Sequence, residues 1–147
     1  MNLTGIRHAL QAELLELEGL RIALPSVAAI ALLEIVAYLD RPAERERDLK
    51  DLASILSHYP ATDDDAFFAD DLLERGFAEH ESRTWMLGRS LRAIVDSSEA
   101  ALVETFLDRM SRDEVDTARF VANSPWKFRP REGVERIELM AKAFEPD

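Results

Sequence analysis

The chain has 147 residues, of which 47% are hydrophobic, a formal net charge of −11 and no cysteine. This composition predicts one domain with its own core, or one domain with an appendage. The charge disfavours general nucleic-acid binding, because an acidic surface repels phosphate. Without cysteine there is no disulfide, thiolate zinc site or cysteine nucleophile. Glu34 interrupts the best apolar run and the first residues lack signal-peptide features, so we expect a cytoplasmic protein without membrane contact.

The N-terminal residues predict a helix followed by a short strand. Residues 4–18 carry a helical stripe of apolar side chains, and Gly19 is expected to end that helix. Residues 20–24 then alternate between apolar and other positions, which predicts a strand. The apolar face of this strand consists of Leu20, Ile22 and Leu24. Because a lone strand leaves its backbone unpaired, we expect partner binding through this face and a homodimer in isolation.

The rest of the sequence predicts helices separated by prolines, glycines and capping residues. Ser26 is expected to cap a buried helix from Val27 to Leu39, which Asp40-Arg41-Pro42 ends. Further helices are predicted from Pro42 to about Tyr59, from Thr62 or Asp63 to Arg75, from Ser82 to Val95, after a cap at Asp96–Ser98, from Ser111 to Val121 and from Arg131 to Phe144. The predicted fold class is therefore mainly α, a multi-helix bundle with one short N-terminal β-strand that can pair with another chain. We divide it into a helical domain at 1–124 and a loop with a C-terminal helix at 125–147.

The order of motifs in residues 20–56 resembles that of a known family. A strand ending in Pro-Ser is followed by an apolar helix, an Asp-Arg-Pro turn and the sequence Arg-Asp-Leu-Lys-Asp-Leu. This order, together with Leu-Gly-Arg at 87–89, resembles the C-terminal helical part of AbiEii-type nucleotidyltransferases. The resemblance implies a non-catalytic domain that shapes or regulates a nucleotidyltransferase, or assembles with a partner. It also implies a toxin–antitoxin or phage-defence setting.

The residues that would carry nucleotidyl transfer are not recognisable in this sequence. The reaction needs a Gly-Ser turn for phosphates and carboxylates on adjacent strand positions for two metal ions. Asp63-Asp64-Asp65 has a suitable spacing, but it lacks an upstream Gly-Ser and predicts a helix start instead. In the family the catalytic half would precede residue 1. We therefore expect no activity from this chain alone, with Mg²⁺ and a nucleoside triphosphate bound only if a catalytic domain is supplied elsewhere.

Four residues of the family-like motifs are candidate site residues. Asp48 and Asp51 are three positions apart and share a helix face. There they can hold Mg²⁺ with substrate phosphates, pair with Arg41, Arg45 or Lys50, or cap a neighbouring helix end. We favour a structural role. Gly88 is expected to allow close helix approach, and Arg89 is expected to form an ion pair with Asp48 or Asp51. In the family a lysine often occupies the position of Glu34.

Arg75 and His80 provide an alternative catalytic site. Their spacing resembles the motif of HEPN-type ribonucleases, in which the histidine acts on a 2′-hydroxyl and the arginine steadies the phosphate. Gly76 and the acidic neighbours argue against this function, because the chemistry needs a continuous helix and RNA is an anion. Another alternative is an antitoxin-like binding module. Residues 126–131 mix aromatic and basic residues, and we expect them to pack on the acidic body rather than to stack nucleic-acid bases.

Overall fold

The computed structural model describes residues 7–8, 13–17, 19–60 and 70–146. This part of the chain is mainly helical, which confirms the predicted fold class. The strands are β1 (Glu13–Leu17) and β2 (Leu20–Leu24). The helices are α1 (Val27–Asp40), α2 (Glu46–His58), α3 (Asp70–Arg75), α4 (Glu79–Ile94), α5 (Ser97–Arg112), α6 (Glu114–Ala122) and α7 (Pro130–Phe144).

Helix α1 is the centre of the bundle. It begins as predicted, with the Ala29 amide donating to Ser26 Oγ over 3.1 Å. Its sequence is apolar nearly all round, and helices α2, α4 and α5 pack around it. Leu32, Ile35 and Tyr38 are fully buried. The burial of these side chains stabilises the bundle through the hydrophobic effect.

The C-terminal helix α7 packs on the body of the bundle, mainly against α4 and α5. Gly88 of α4 permits this approach, as expected from the sequence. A Cβ atom at Gly88 would lie 2.6 Å from Ala143 Cβ and 2.8 Å from the Met140 carbonyl oxygen. These distances are shorter than normal van der Waals contact, so the position requires glycine.

A buried polar network joins α1, α5 and α6. The Tyr38 hydroxyl donates to Asp116 Oδ1 over 2.7 Å, and Arg109 Nε donates to Asp116 Oδ2 over 2.6 Å. Burial and this bond to Asp116 raise the pKa of Tyr38 to about 12. Asp116 is 2% exposed, so its charge depends on these partners rather than on water.

The structure corrects several predicted helix boundaries. Pro42 lies in the connecting turn, because α2 begins at Glu46. Helix α4 begins at Glu79, before the predicted Ser82. Ser111 remains within α5, where its hydroxyl donates to the Leu107 carbonyl, and Asp113 caps α6 instead. Most of the predicted helix from Thr62 lies in 61–69, outside the described residues.

The N-terminal prediction was wrong for residues 13–17, which form a strand rather than a helix. Strand β1 pairs antiparallel with β2, with Glu13 opposite Leu24 and Leu17 opposite Leu20. Gly19 has φ 83° and occupies the tight connection, a conformation that favours glycine. The strand at 20–24 is confirmed, but the expectation that it lacks a partner within the chain was also wrong.

Arg7 and His8 attach the start of the described chain to the bundle. Arg7 Nη2 lies 2.6 Å from Glu99 Oε2 and 2.8 Å from Asp96 Oδ2. His8 is buried, with Nε2 3.0 Å from the same Glu99 oxygen. In the sequence, the hairpin is therefore flanked by two segments that are attached to the helical bundle. One is Arg7 and His8, and the other is the start of α1.

Candidate functional site

The hairpin formed by β1 and β2 presents apolar side chains to solvent. Leu14 is 70% exposed, Leu20 65% and Leu24 45%, while Ile22 is half-buried. Three of these residues, Leu20, Ile22 and Leu24, are the partner-binding residues predicted from the sequence. The strand register places these three residues on one face and Leu14, which is opposite Ala23, on the other face. Exposed aliphatic side chains that share a face are typical of a surface that another molecule covers.

The hairpin also has free strand edges. Its sheet contains two strands, so each has an outer edge without a strand partner among the described residues. Leu17 and Leu20 are partners on either side of a two-residue connection, which makes them a hydrogen-bonded pair in such hairpins. Because this pattern alternates, the amides of Arg21 and Ala23 face the outer edge of β2. They are donors that a further strand can use.

A second candidate site is a cluster of three carboxyl groups between α1 and α2. Glu34, Asp48 and Asp51 line a cleft of about 470 Å³ together with Arg45 and Arg47. Arg45 Nε lies 3.0 Å from Asp48 Oδ2, and Arg47 Nε lies 3.8 Å from Asp51 Oδ2. Asp48 Oδ2 is buried and its contact with Arg45 lacks hydrogen-bond alignment, so Arg45 supplies charge without a hydrogen bond. Arg45 is one of the partners expected from the sequence, whereas Arg47 is not.

Glu34 is the residue that makes this cluster unusual. Burial is the largest cause that raises the pKa of Glu34 to about 7, followed by the charges of Asp48 and Asp51 and a hydrogen bond with Asp48. Burial likewise raises the pKa of Asp48. Burial and the neighbouring carboxylates therefore disfavour the charged form of Glu34, because two adjacent carboxylates cannot both ionise easily. The sequence placed Asp48 and Asp51 on one face but did not indicate that Glu34 faces them.

Asp48 and Asp51, the carboxylates expected to pair with Arg89, have partners nearby in the chain. Asp48 pairs with Arg45 and Asp51 with Arg47, each a few residues away. Local pairs require less ordering of long side chains than pairs between distant helices. Among the described residues, no group of three or more His, Cys, Asp or Glu side chains has an arrangement suited to a metal ion.

Arg75 and His80 do not share a continuous helix. Helix α3 ends at Arg75, Gly76 has φ 64°, and α4 begins at Glu79. The Arg75 guanidinium instead stacks 4.0 Å from the centre of the Trp85 ring. His80 lines a different cleft, which also contains Glu132 and Arg136. The break at Gly76 is the one expected from the sequence.

The loop at 126–131 behaves in part as predicted. Trp126 is buried against Phe120 and beneath the Arg136 guanidinium. Arg129 and Arg131 pair with carboxylates of α7, at 2.6 Å to Glu132 and 2.8 Å to Glu135. In contrast, Phe128 is 85% exposed.

Sequence reasoning missed a basic cleft between α2 and the loop that joins α6 to α7. Its lining includes Lys50, His58 and Lys127, and its volume is about 510 Å³. Neither lysine forms an ion pair with a described carboxylate. Lys50 and His58 share one helix, but Lys127 comes from a distant part of the chain, so no spacing rule brings it to them. The one sequence feature that could have drawn attention to this cleft is the scarcity of lysine, which accounts for three of the 18 basic residues.

Comparisons with family models, with curated protein sequences and with solved structures found no match to this chain. In the part of the chain that the structure describes, no helix has the length and apolar character needed to cross a membrane.

Proposed function

We propose that this chain is a non-catalytic assembly domain, whose hairpin docks onto the sheet of a nucleotidyltransferase-type catalytic unit. In the absence of that unit, the same hairpin pairs with a second copy of the chain. The observation that carries the proposal is the exposed apolar hairpin with its free β2 edge. The sequence resemblance to the AbiEii-type family suggests the kind of partner.

Strand addition explains why both the backbone and the side chains of the hairpin matter. The outward amides of Arg21 and Ala23 would form main-chain hydrogen bonds with an incoming strand. Leu20, Ile22 and Leu24 would lose solvent contact at the same time, which is the main source of affinity. An antiparallel pair of β2 strands about a two-fold axis satisfies both copies equally.

Light scattering on the isolated chain tests the proposal, with a dimer expected. Full burial of a leucine contributes about 1.5–3 kcal/mol. Because Leu20 is 65% exposed and occurs twice in the dimer, Leu20→Lys should weaken association by roughly 2–4 kcal/mol. Ala23→Pro should also yield a monomer, because proline removes the outward amide and the internal ladder does not use it.

Val115→Lys is the matched control. Val115 is also an exposed aliphatic residue, at 58%, but it lies on α6. The control should remain dimeric. A wild-type monomer, or a dimer that tolerates both Leu20→Lys and Ala23→Pro, would overturn the proposed mode of self-association.

The non-catalytic part of the proposal has a separate test. The purified chain, incubated with labelled nucleoside triphosphates, Mg²⁺ or Mn²⁺ and RNA or protein acceptors, should incorporate no label. Incorporation that Asp48→Ala abolishes would contradict it and would assign a catalytic role to the carboxyl cluster.

A further inference from the structure

The arrangement of Lys50, His58 and Lys127 raises the question of what the basic cleft binds. Lys50, Ser54 and His58 are four residues apart and therefore line up on one face of α2. Lys127 and Asn123 approach them from the loop between α6 and α7. The eight residues that line the cleft include no carboxylate, although the chain carries a net charge of −11.

The two lysines differ from most other basic residues of the chain, which are neutralised locally. For example, Arg45, Arg109 and Arg136 lie within 3.0 Å of a carboxylate oxygen. Lys50 and Lys127 have no such partner among the described carboxylates. Lys127 Nζ lies 4.9 Å from the centre of the Phe128 ring, but a neutral ring does not cancel its charge. Two ammonium groups that line one cleft without a described carboxylate partner favour an anion between them.

The remaining polar groups of the cleft suit a phosphate. His58 Nδ1 lies 2.8 Å from the Ser54 carbonyl oxygen and therefore donates within the helix. Nε2 is then the accepting nitrogen of the neutral ring, so it can receive a hydrogen bond from the hydroxyl of a monoprotonated phosphate. The Asn123 amide donates to the Arg119 carbonyl over 2.9 Å, which holds this side chain at the cleft wall. Lysine ammonium groups bind phosphate as point charges and need no planar geometry.

We propose that this basic cleft binds a small phosphate compound, either inorganic phosphate or a phosphomonoester, between Lys50 and Lys127. The volume of about 510 Å³ is in the range of small-molecule sites. A nucleic acid is a poor fit, because the cationic surface is one cleft on an acidic protein rather than an extended stripe. The site is independent of the hairpin and of the proposed assembly function.

Calorimetric titration with inorganic phosphate and with ribose 5-phosphate, at constant ionic strength, tests this proposal. Each should bind the wild-type chain with one site per chain. Lys50→Gln and Lys127→Gln should each weaken binding about tenfold or more, because each removes one charge-assisted contact. Both side chains are exposed, so the variants should fold normally, which circular dichroism can verify. Phosphate should also raise the melting temperature of the wild type more than that of either variant.

Lys142→Gln is the matched control, because it makes the same charge change in a different cleft, which is rich in glutamates. It should bind phosphate like the wild type. The proposal would be overturned by the absence of phosphate binding at millimolar concentration, or by equal weakening in all three variants. Tighter binding of single-stranded RNA than of phosphate, with the same dependence on Lys50 and Lys127, would also overturn it in favour of a nucleic-acid site.

Discussion

Substitution of Gly88 by alanine should destabilise the chain, because α4 and α7 are in contact at this residue. The added Cβ would lie 2.6 Å from Ala143 Cβ and 2.8 Å from the Met140 carbonyl oxygen. The second contact is with backbone, so it is relieved only if a helix moves. Overpacking of this kind costs about 1–3 kcal/mol, with the upper end expected here. Alanine recovers about 1 kcal/mol of helix propensity, which leaves a net loss of roughly 2 kcal/mol.

Thermal and urea unfolding provide the assay for Gly88→Ala. A loss of roughly 2 kcal/mol should lower the melting temperature by about 4–8 °C in a chain of this size. Gly133→Ala is the matched control on α7, because its nearest atom is a methyl group, Val121 Cγ2, at 3.3 Å. Its effect should stay within about 1 kcal/mol of zero. A Gly88→Ala chain as stable as the wild type would refute the close packing of α4 on α7.

Two further substitutions test the polar interior. Folding raises the pKa of Glu34 from 4.5 to about 7. Between pH 4.5 and about 7 the folded chain therefore binds a proton that the unfolded chain has released. The free energy of unfolding falls as the pH rises through this range. Glu34→Gln should therefore add about 1–2 kcal/mol at about pH 8 and almost nothing near pH 4, after allowance for partial exposure. Urea unfolding at both pH values measures this effect, with the exposed Glu104→Gln as control, and an equal gain at both pH values would count against the carboxyl cluster. Asp116→Ala should cost about 3 kcal/mol or more, because it leaves Arg109 and the Tyr38 hydroxyl without their buried acceptor. Asp108→Ala breaks the exposed pair with Arg112 and should cost less than about 1 kcal/mol in the same unfolding assay. Equal losses for the two aspartates would show that the Asp116 network contributes no more than a surface pair.

The sequence predicted the helices best where local rules decide the structure. Ser26 and Asp96 cap their helices as expected, because a capping residue and the amides that it accepts are neighbours in the chain. Gly88 was recognised as a point of close approach, but its partner helix was not. That partner, α7, follows much later in the sequence.

The hairpin was missed because its apolar residues satisfy two patterns at once. Leu14 and Leu17 have a helical spacing, while the glycine after residue 18 followed by an alternating run is typical of a hairpin. Pairing with β2 makes residues 13–17 a strand, and periodicity alone does not distinguish the strand from the helix. The approach of Glu34 to Asp48 and the shared cleft of Lys50 and Lys127 are likewise set by tertiary packing. Residues that converge from separate elements leave no mark in the spacing of a single sequence.

Hydrogen exchange at the amides of Arg21 and Ala23 tests the central claim most directly, because these groups form the free edge of β2. We expect rapid exchange at low protein concentration and strong protection at the concentration where light scattering reports a dimer. The Val115→Lys chain should show the same protection. Rapid exchange of both amides in a chain that is fully dimeric would contradict the account, since the dimer would then form through another surface.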